Sequence, residues 1–130
     1  MKRVRVLIAD DNRAILDKVA DLLGSQFNVV ETVSNGQALL EAATQLDPDL
    51  MVVDIAMPTM SGVEAARQLR GSRARIVFLT VHDEPDYVRE CFAAGGAGFV
   101  VKSRLASDLI PAIEAALAGH TFVSPSVPWV

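Results

Sequence analysis

Leu50-Met51-Val52-Val53-Asp54 is a short apolar run that ends on one carboxylate. Because every position before the last is apolar, the run predicts a β-strand that is buried on both faces. Asp47-Pro48-Asp49 comes immediately before it and is typical of the end of a helix. Strands that are buried on both faces belong to parallel sheets covered by helices, so this stretch predicts an α/β fold.

The alternation of short apolar runs with longer helical patterns continues on both sides of this strand. Four more strands are predicted, at Val4–Ala9, Phe27–Val33, Ile76–Thr80 and Gly98–Lys102. Helical patterns follow the five strands over residues 12–23, 38–46, 62–70, 84–95 and 105–117. Five βα units of this spacing predict an open, doubly wound parallel sheet. Right-handed crossovers then place the carboxyl ends of all its strands at one edge.

Length and composition indicate one ordinary globular domain. The chain has 130 residues, of which 51% are hydrophobic and 22% are charged. We interpret residues 1–118 as this domain, and residues 119–130, with Pro125 and Pro128, as the start of a linker or a C-terminal tail. The net charge of −4 argues against a basic nucleic-acid surface within this segment.

Cysteine usage and apolar length point to the cytoplasm. The single cysteine, Cys91, cannot form a disulfide within the chain, and its helical spacing predicts a core position. The apolar run Val4–Ala9 ends at Asp10-Asp11, too early for a secretory signal. Because no segment has the apolar length that spans a bilayer, we expect a cytoplasmic protein with no membrane partner.

Polar side chains end four of the five predicted strands. Asp10 and Asp11 follow the first strand, Asp54 ends the third, Thr80 the fourth and Lys102 the fifth. Carboxylates brought close repel one another unless a cation shares the site, and Mg²⁺ favours a couple of carboxylates together with phosphate oxygens. A lysine and a threonine can bind other phosphoryl oxygens, and a carboxylate can act as nucleophile. The pattern therefore predicts Mg²⁺-assisted phosphoryl transfer to Asp54, which stands alone at the end of the central strand.

This arrangement resembles the receiver domain of two-component response regulators. The residues that carry the resemblance are Asp10-Asp11, Asp54, Met57-Pro58, Gly62, Thr80 and Gly98–Lys102. The match extends over residues 4–117, nearly the whole chain. It implies a flavodoxin-like (βα)5 fold with strand order 2-1-3-4-5, and it implies that a sensor histidine kinase phosphorylates Asp54.

The resemblance also implies how the metal would be held. Asp11, Asp54 and the backbone carbonyl of Ala56 would bind Mg²⁺ directly, whereas Asp10 would act largely through water. We expect a signalling domain that supports its own phosphorylation and dephosphorylation chemistry at Asp54, not an enzyme.

A second set of implied roles concerns signal output. Thr80 and Phe99 would form a switch, in which Phe99 turns inward when Thr80 moves towards the phosphoryl group. The face formed by the fourth helix, fifth strand and fifth helix would change in response, and with it homodimerisation or contact with an output domain. Such a change is a shift between two existing states of the domain.

Two further segments are similar to the NarL/FixJ subfamily of response regulators. They are Leu79–Pro85, and Gly119–Pro125 after the last helix. A LuxR-type helix-turn-helix domain usually follows the receiver in that subfamily, so DNA would be contacted only through an output domain outside this chain. The chain is then either the receiver of a DNA-binding transcription regulator or a stand-alone receiver.

Three other readings compete with a phosphorylated receiver. An enzyme of the haloacid-dehalogenase type would place a second aspartate two residues after the nucleophile, where this chain has Ala56. A flavin-binding module would have a phosphate loop rich in serine, threonine and glycine after the first strand, where this chain has Asp10-Asp11. A degenerate receiver would act only by protein–protein interaction. Ala56 and Val81 depart from the common receiver pattern and keep that third reading open.

Overall fold

The computed structural model describes residues 3–127 and has helices alternating with strands. The strands are β1 Val4–Ala9, β2 Phe27–Val33, β3 Leu50–Asp54, β4 Arg75–Thr80, β5 Gly98–Val101 and β6 Phe122–Val123. The helices are α1 Arg13–Leu23, α2 Gly36–Leu46, α3 Gly62–Gln68, α4 Pro85–Ala93 and α5 Leu105–Leu117, and a 3-10 turn spans Lys102–Arg104. The five predicted βα units are confirmed.

The strands form one parallel sheet in the order β2-β1-β3-β4-β5-β6. The predicted order 2-1-3-4-5 is confirmed, but the sheet has six strands within the described residues instead of the predicted five. The extra strand lies in the segment interpreted as a linker or tail, and its Phe122 N–H donates to Ala97 O at 3.0 Å. A two-residue strand is too short to show a period, and Gly119 and Pro125 on either side of it are typical of loops. The first two residues and the last three, including Pro128, lie outside the described residues.

Helices cover both faces of the sheet, as the sequence of β3 predicts. Met51 and Val53 belong to the core on the side of α2, α3 and α4, while Leu50 and Val52 belong to the core on the side of α1 and α5. All five residues of β3 are buried. Cys91 is fully buried in α4, which confirms its predicted core position, and burial raises the pKa of its thiol to about 12.

Side-chain caps set the helix bounds within a few residues of the predicted ones. Asn12 caps α1 by accepting from the N–H groups of Ala14 and Ile15 at 2.9 and 3.3 Å, so the helix begins one residue later than predicted. Asn35 likewise caps α2, which begins at Gly36. At residues 3–127 the structure has no helix long and apolar enough to span a bilayer.

Candidate functional site

The carboxyl edge of the sheet gathers the polar residues that the sequence places at strand ends. Asp10 follows β1, Asp54 and Thr80 end β3 and β4, and Lys102 follows β5. Asp10, Asp54 and Thr80 are 0, 3 and 2% exposed. The Lys102 Nζ atom lies 2.8 Å from Asp10 Oδ2 and 3.3 Å from Asp54 Oδ1. One ammonium group is therefore shared by two buried carboxylates.

Asp11 completes an acidic cluster on the solvent side of this edge. Carboxylate oxygens of Asp10, Asp11 and Asp54 lie within 4.8 Å of one another, and of the three residues only Asp11 is exposed. Asp10 Oδ2 accepts no well-formed hydrogen bond within the described residues, although the Lys102 ammonium lies near it. Carboxylate oxygens are the ligands that Mg²⁺ prefers, and a buried oxygen without a full set of partners favours binding of a cation. These residues therefore fit a magnesium ion.

The pKa of Asp54 shows that nearby positive charge and hydrogen bonds do not fully compensate the burial of its carboxylate. Burial and, after it, the nearby charge of Asp10 raise the pKa of Asp54 from its ordinary value of 3.8 to about 6. The Lys102 charge and a hydrogen bond donated by the Ala56 N–H at 3.3 Å lower the pKa but do not cancel that rise. The carboxylate of Asp54 is thus ionised at neutral pH at a cost in free energy, which a second cation would reduce.

Lys102 responds in the opposite way to the same surroundings. Burial acts to lower the pKa of its ammonium group, but the Asp10 carboxylate at 2.8 Å and the charge of Asp54 outweigh burial, so the pKa is raised. The side chain is 14% exposed and remains charged. It can offer a positive charge to an oxygen of a ligand at this edge.

Thr80 and Phe99 lie on neighbouring strands, two positions apart in the ladder between β4 and β5. Thr80 pairs with Val101, and Phe78 pairs with Phe99. The Thr80 Oγ1 atom accepts from the His82 N–H at 2.9 Å. Phe99 is fully buried, and its role as a switch stays a prediction.

A glycine holds the loop after β3 in place. The Gly62 N–H donates to Ile55 O at 2.8 Å, and a Cβ atom at residue 62 would lie 2.0 Å from the backbone oxygen of Asp54. A side chain cannot fit there unless the backbone moves. Gly62, which the sequence resemblance includes, therefore fixes the backbone at the end of β3.

One buried polar cluster near this edge was missed by the sequence reasoning. Ser124 and Asp108 are 1 and 4% exposed, and the Ser124 hydroxyl donates to Asp108 Oδ2 at 2.7 Å. The sequence does carry a signal for it, because Asp108 lies on the apolar stripe of α5 together with Leu105 and Ala112. An acidic residue on such a stripe requires a partner.

Comparison with known proteins agrees with this arrangement. The chain matches the response regulator receiver domain family over residues 6–114. It is 38% identical over 116 residues to the transcriptional regulatory protein PdtaR of Mycobacterium tuberculosis, covering 88% of this chain and 57% of that protein. It is 30% identical over 129 residues to the transcriptional regulatory protein DegU of Brevibacillus brevis, covering 96% of this chain and 55% of that protein. The chain therefore spans little more than half the length of these relatives.

Solved structures show the same fold. A LuxR-family two-component response regulator from Aurantimonas sp. SI85-9A1 superposes with a TM-score of 0.91 at 29% identity, covering 97% of this chain and 93% of that one. The isolated receiver domain of RcsB from Salmonella enterica serovar Typhimurium, determined with the phosphomimetic BeF3−, superposes with a TM-score of 0.87 at 25% identity, covering 97% and 96% of the two chains. With the family match extending from β1 into α5, the chain belongs to the response regulator receiver domain family of two-component systems.

Proposed function

We propose that this chain accepts a phosphoryl group on Asp54 from a phosphohistidine of a sensor histidine kinase, in a reaction that depends on Mg²⁺. The observation that carries the proposal is the Asp54 carboxylate itself, which is buried among two other acids and shares the Lys102 ammonium with Asp10. A small acyl phosphate is an alternative donor for the same chemistry.

The residues of the site divide the work of the transfer. An Asp54 oxygen attacks the phosphorus atom, the phosphorus–nitrogen bond to the kinase histidine breaks, and the histidine leaves. Asp10, Asp11, Asp54 and the carbonyl of Ala56 would hold Mg²⁺, which supplies positive charge for the phosphoryl oxygens. Since the pKa of Asp54 is raised only to about 6, its carboxylate is available as a nucleophile at neutral pH.

Two neighbouring side chains would bind the phosphoryl oxygens that remain. The Lys102 ammonium already lies 3.3 Å from Asp54 Oδ1 and offers a charge-assisted hydrogen bond. The Thr80 hydroxyl would donate to another oxygen while giving up the hydrogen bond it accepts from His82 N–H. Phe99, two positions from Thr80 in the β4–β5 ladder, would transmit that movement.

The output of the switch is a change in protein contacts on the face of α4, β5 and α5. Because β6 covers the outer edge of β5, a homodimer or an output domain on this face would contact β6 as well. The relatives named above are transcriptional regulators, so we infer that the chain controls a DNA-binding domain outside this segment, in the cytoplasm. It would act as a signalling domain and not as an enzyme, and a stand-alone receiver is the alternative.

The competing readings find less support in this site. The haloacid-dehalogenase type lacks its second aspartate because residue 56 is alanine. A bound flavin phosphate would lie against Asp10 and Asp11, whose charge would repel it. A degenerate receiver would be expected to lack part of the acid–lysine arrangement, which is complete here.

Intact mass after incubation with phosphoramidate, and separately with acetyl phosphate, tests the proposal. The wild type should gain one phosphoryl group only when Mg²⁺ is present, and Asp54→Asn should gain none. Asp49→Asn is the matched control because the same change is made at the other end of β3, and it should be phosphorylated as the wild type is. Uptake by Asp54→Asn would exclude Asp54 as the acceptor. No uptake by the wild type from either donor or from histidine kinases would favour the degenerate receiver.

A further inference from the structure

Ser124 joins the last strand to the rest of the domain through its side chain. Its hydroxyl donates to Asp108 Oδ2 at 2.7 Å and accepts from the Val101 N–H at 3.0 Å. Its own N–H donates to Phe99 O at 2.9 Å. Ser124 therefore binds two backbone groups on the outer edge of β5, the Phe99 carbonyl through its N–H and the Val101 N–H through its hydroxyl.

Asp108 is the buried charge at the centre of this cluster. It accepts from Arg104 Nε at 2.8 Å and from the Ser107 hydroxyl at 3.0 Å in addition to Ser124. Burial acts to raise the pKa of Asp108, but the hydrogen bonds from Arg104, Ser124 and Ser107 outweigh it and the pKa is lowered. Asp108 is thus a fully compensated carboxylate, unlike Asp54.

Hydrogen bonds from this cluster hold the chain on both sides of Lys102. Val101, the residue before Lys102, is bound through its N–H by Ser124, and Arg104, two residues after it, is bound through its side chain by Asp108. Lys102 begins the 3-10 turn between these two points. Its long side chain must then place one ammonium within reach of both Asp10 and Asp54, at 2.8 and 3.3 Å.

We propose that Ser124 and Asp108 are positioning residues for Lys102, so that the C-terminal segment carrying β6 contributes to phosphoryl transfer at Asp54. The inference rests on the proposed function. Neither residue belongs to the acidic cluster, and they act on either side of Lys102, Ser124 through the Val101 N–H and Asp108 through the Arg104 side chain.

The topology of the sheet places Ser124 away from the acidic residues that would hold the metal. Asp10 and Asp11 follow β1 and Asp54 ends β3, whereas β6 contacts β5 at the far edge of the sheet. Removing the Ser124 hydroxyl leaves the Val101 N–H without its partner and takes one hydrogen bond from Asp108. The turn at Lys102 would shift while the carboxylates stay in place. Transfer should slow, and the affinity for Mg²⁺ should not fall, because a displaced Lys102 ammonium leaves the carboxylates no less negative.

Ser124→Ala tests the proposal, with Asp108→Asn as a second variant in case the first folds poorly. The rate of phosphoryl uptake is measured by mass against phosphoramidate concentration at saturating Mg²⁺, and the Kd for Mg²⁺ is measured by calorimetry. We expect the maximal rate to fall roughly tenfold, since small displacements of a positioning group are costly, without any loss of affinity for Mg²⁺. Ser126→Ala, the same change at an exposed serine two residues along, should behave as the wild type.

A double-mutant cycle with Lys102→Met separates positioning from general stability. If Ser124 acts through Lys102, Ser124→Ala should cause no further loss of rate in the Lys102→Met background. Ile113→Val, a core truncation in the same helix, should lower stability without lowering the rate. The proposal is overturned if the losses of the two variants multiply, if Ile113→Val slows transfer equally, or if Ser124→Ala transfers at the wild-type rate.

These outcomes are distinct from failure of the proposed function. If the wild type takes up no phosphoryl group from any donor, Lys102 has no transfer to assist and both ideas fall together. If the wild type is phosphorylated on Asp54 while both cluster variants keep its rate, only the positioning role is wrong.

Discussion

Strand β3 has an aspartate at each end, and the two carboxylates have opposite electrostatic behaviour. Asp49, just before the strand, accepts from the Arg5 N–H at 2.8 Å and from Arg73 Nη1 at 2.7 Å, and these bonds lower its pKa. Asp54, the last residue of the strand, is buried beside Asp10, and its pKa is raised to about 6. The same residue type is therefore stabilising just before the strand and costly at its last position.

The two carboxylates differ in how many hydrogen-bond and ion-pair partners each has without sharing them with another acid. Asp49 has a backbone N–H and a guanidinium group, and it is partly open to solvent. Asp54 is nearly sealed from solvent and shares its ammonium partner with a second buried acid. A carboxylate that is fully paired stabilises the fold, whereas one that is underpaired has affinity left for a cation and for a phosphoryl group.

Replacing each of two glycines near opposite edges of the sheet with alanine should give the largest difference in unfolding free energy. Gly62→Ala places a Cβ atom 2.0 Å from the Asp54 backbone oxygen, so the end of β3 must move. Gly71→Ala meets no atom within 4 Å and suffers only from its φ of +97°. We expect Gly62→Ala to lose about 3 kcal/mol or more of unfolding free energy, and Gly71→Ala about 1 kcal/mol. Urea unfolding measures both.

The same two variants should also differ in their rates of phosphoryl uptake. Gly62→Ala should also slow phosphoryl uptake, because the backbone of the acceptor itself is displaced, whereas Gly71→Ala should leave the rate unchanged. Equal losses of stability in the two variants would mean that the loop after β3 relaxes freely, and Gly62 would then have no special part in holding Asp54.

Asp54→Asn should raise stability in the absence of divalent metal. The folded pKa of Asp54, about 6, lies above the ordinary value of 3.8 that applies to the unfolded chain, so the folded state binds the proton more tightly. The stability that this proton contributes is fully present below pH 3.8 and is lost as the pH rises through about 6. At about pH 8 the ionised Asp54 therefore costs up to about 3 kcal/mol.

The pH dependence provides the measurement. The free energy of unfolding in chelator should favour Asp54→Asn over the wild type at about pH 8, and the advantage should shrink as the pH falls below about 6. Saturating Mg²⁺ should stabilise the wild type more than the variant and reduce the difference. A variant less stable than the wild type at about pH 8 in chelator would show that Lys102 fully compensates Asp54.

The regular parts of the molecule follow from patterns within short stretches of sequence. Leu50–Asp54 predicts a buried parallel strand, and parallel topology then predicts that Asp10, Asp54, Thr80 and Lys102 meet at one edge. The convergence could be predicted because it depends on strand ends and on the handedness of crossovers. No knowledge of side-chain contacts is required for it.

The parts that could not be predicted are contacts between distant residues with no local period. Ser124 reaches Asp108 and Val101 across 16 and 23 residues, and Arg73 reaches Asp49 across 24. The sixth strand has two residues, below the length at which alternation is visible. Its position is set by hydrogen bonds to the edge of β5, which become apparent only when the sheet is assembled.

The smallest of the expected effects belongs to Asp49, at the amino end of β3. Its lowered pKa means that its stabilising contribution is present above pH 3.8 and is lost as the pH falls through the lower folded value. Asp49→Asn should lose only about 1 kcal/mol at neutral pH, because Arg73 is 57% exposed and solvent weakens the ion pair. The loss should vanish in acid, where the wild-type carboxylate is itself protonated.

Asp47→Asn is the matched control for this end of the strand. Asp47 also contacts Arg73, at 3.3 Å, but its side chain is 69% exposed, and its φ of 45° suits asparagine equally well. Its unfolding free energy should stay within a few tenths of a kcal/mol of the wild type. Asp49→Asn could also leave the unfolding free energy unchanged. The amide oxygen of asparagine would then accept the hydrogen bond from the Arg5 N–H as well as the carboxylate does. The contrast between the two ends of β3 would then rest on the cost of Asp54 alone, because nothing would be gained at Asp49 from carrying a charge.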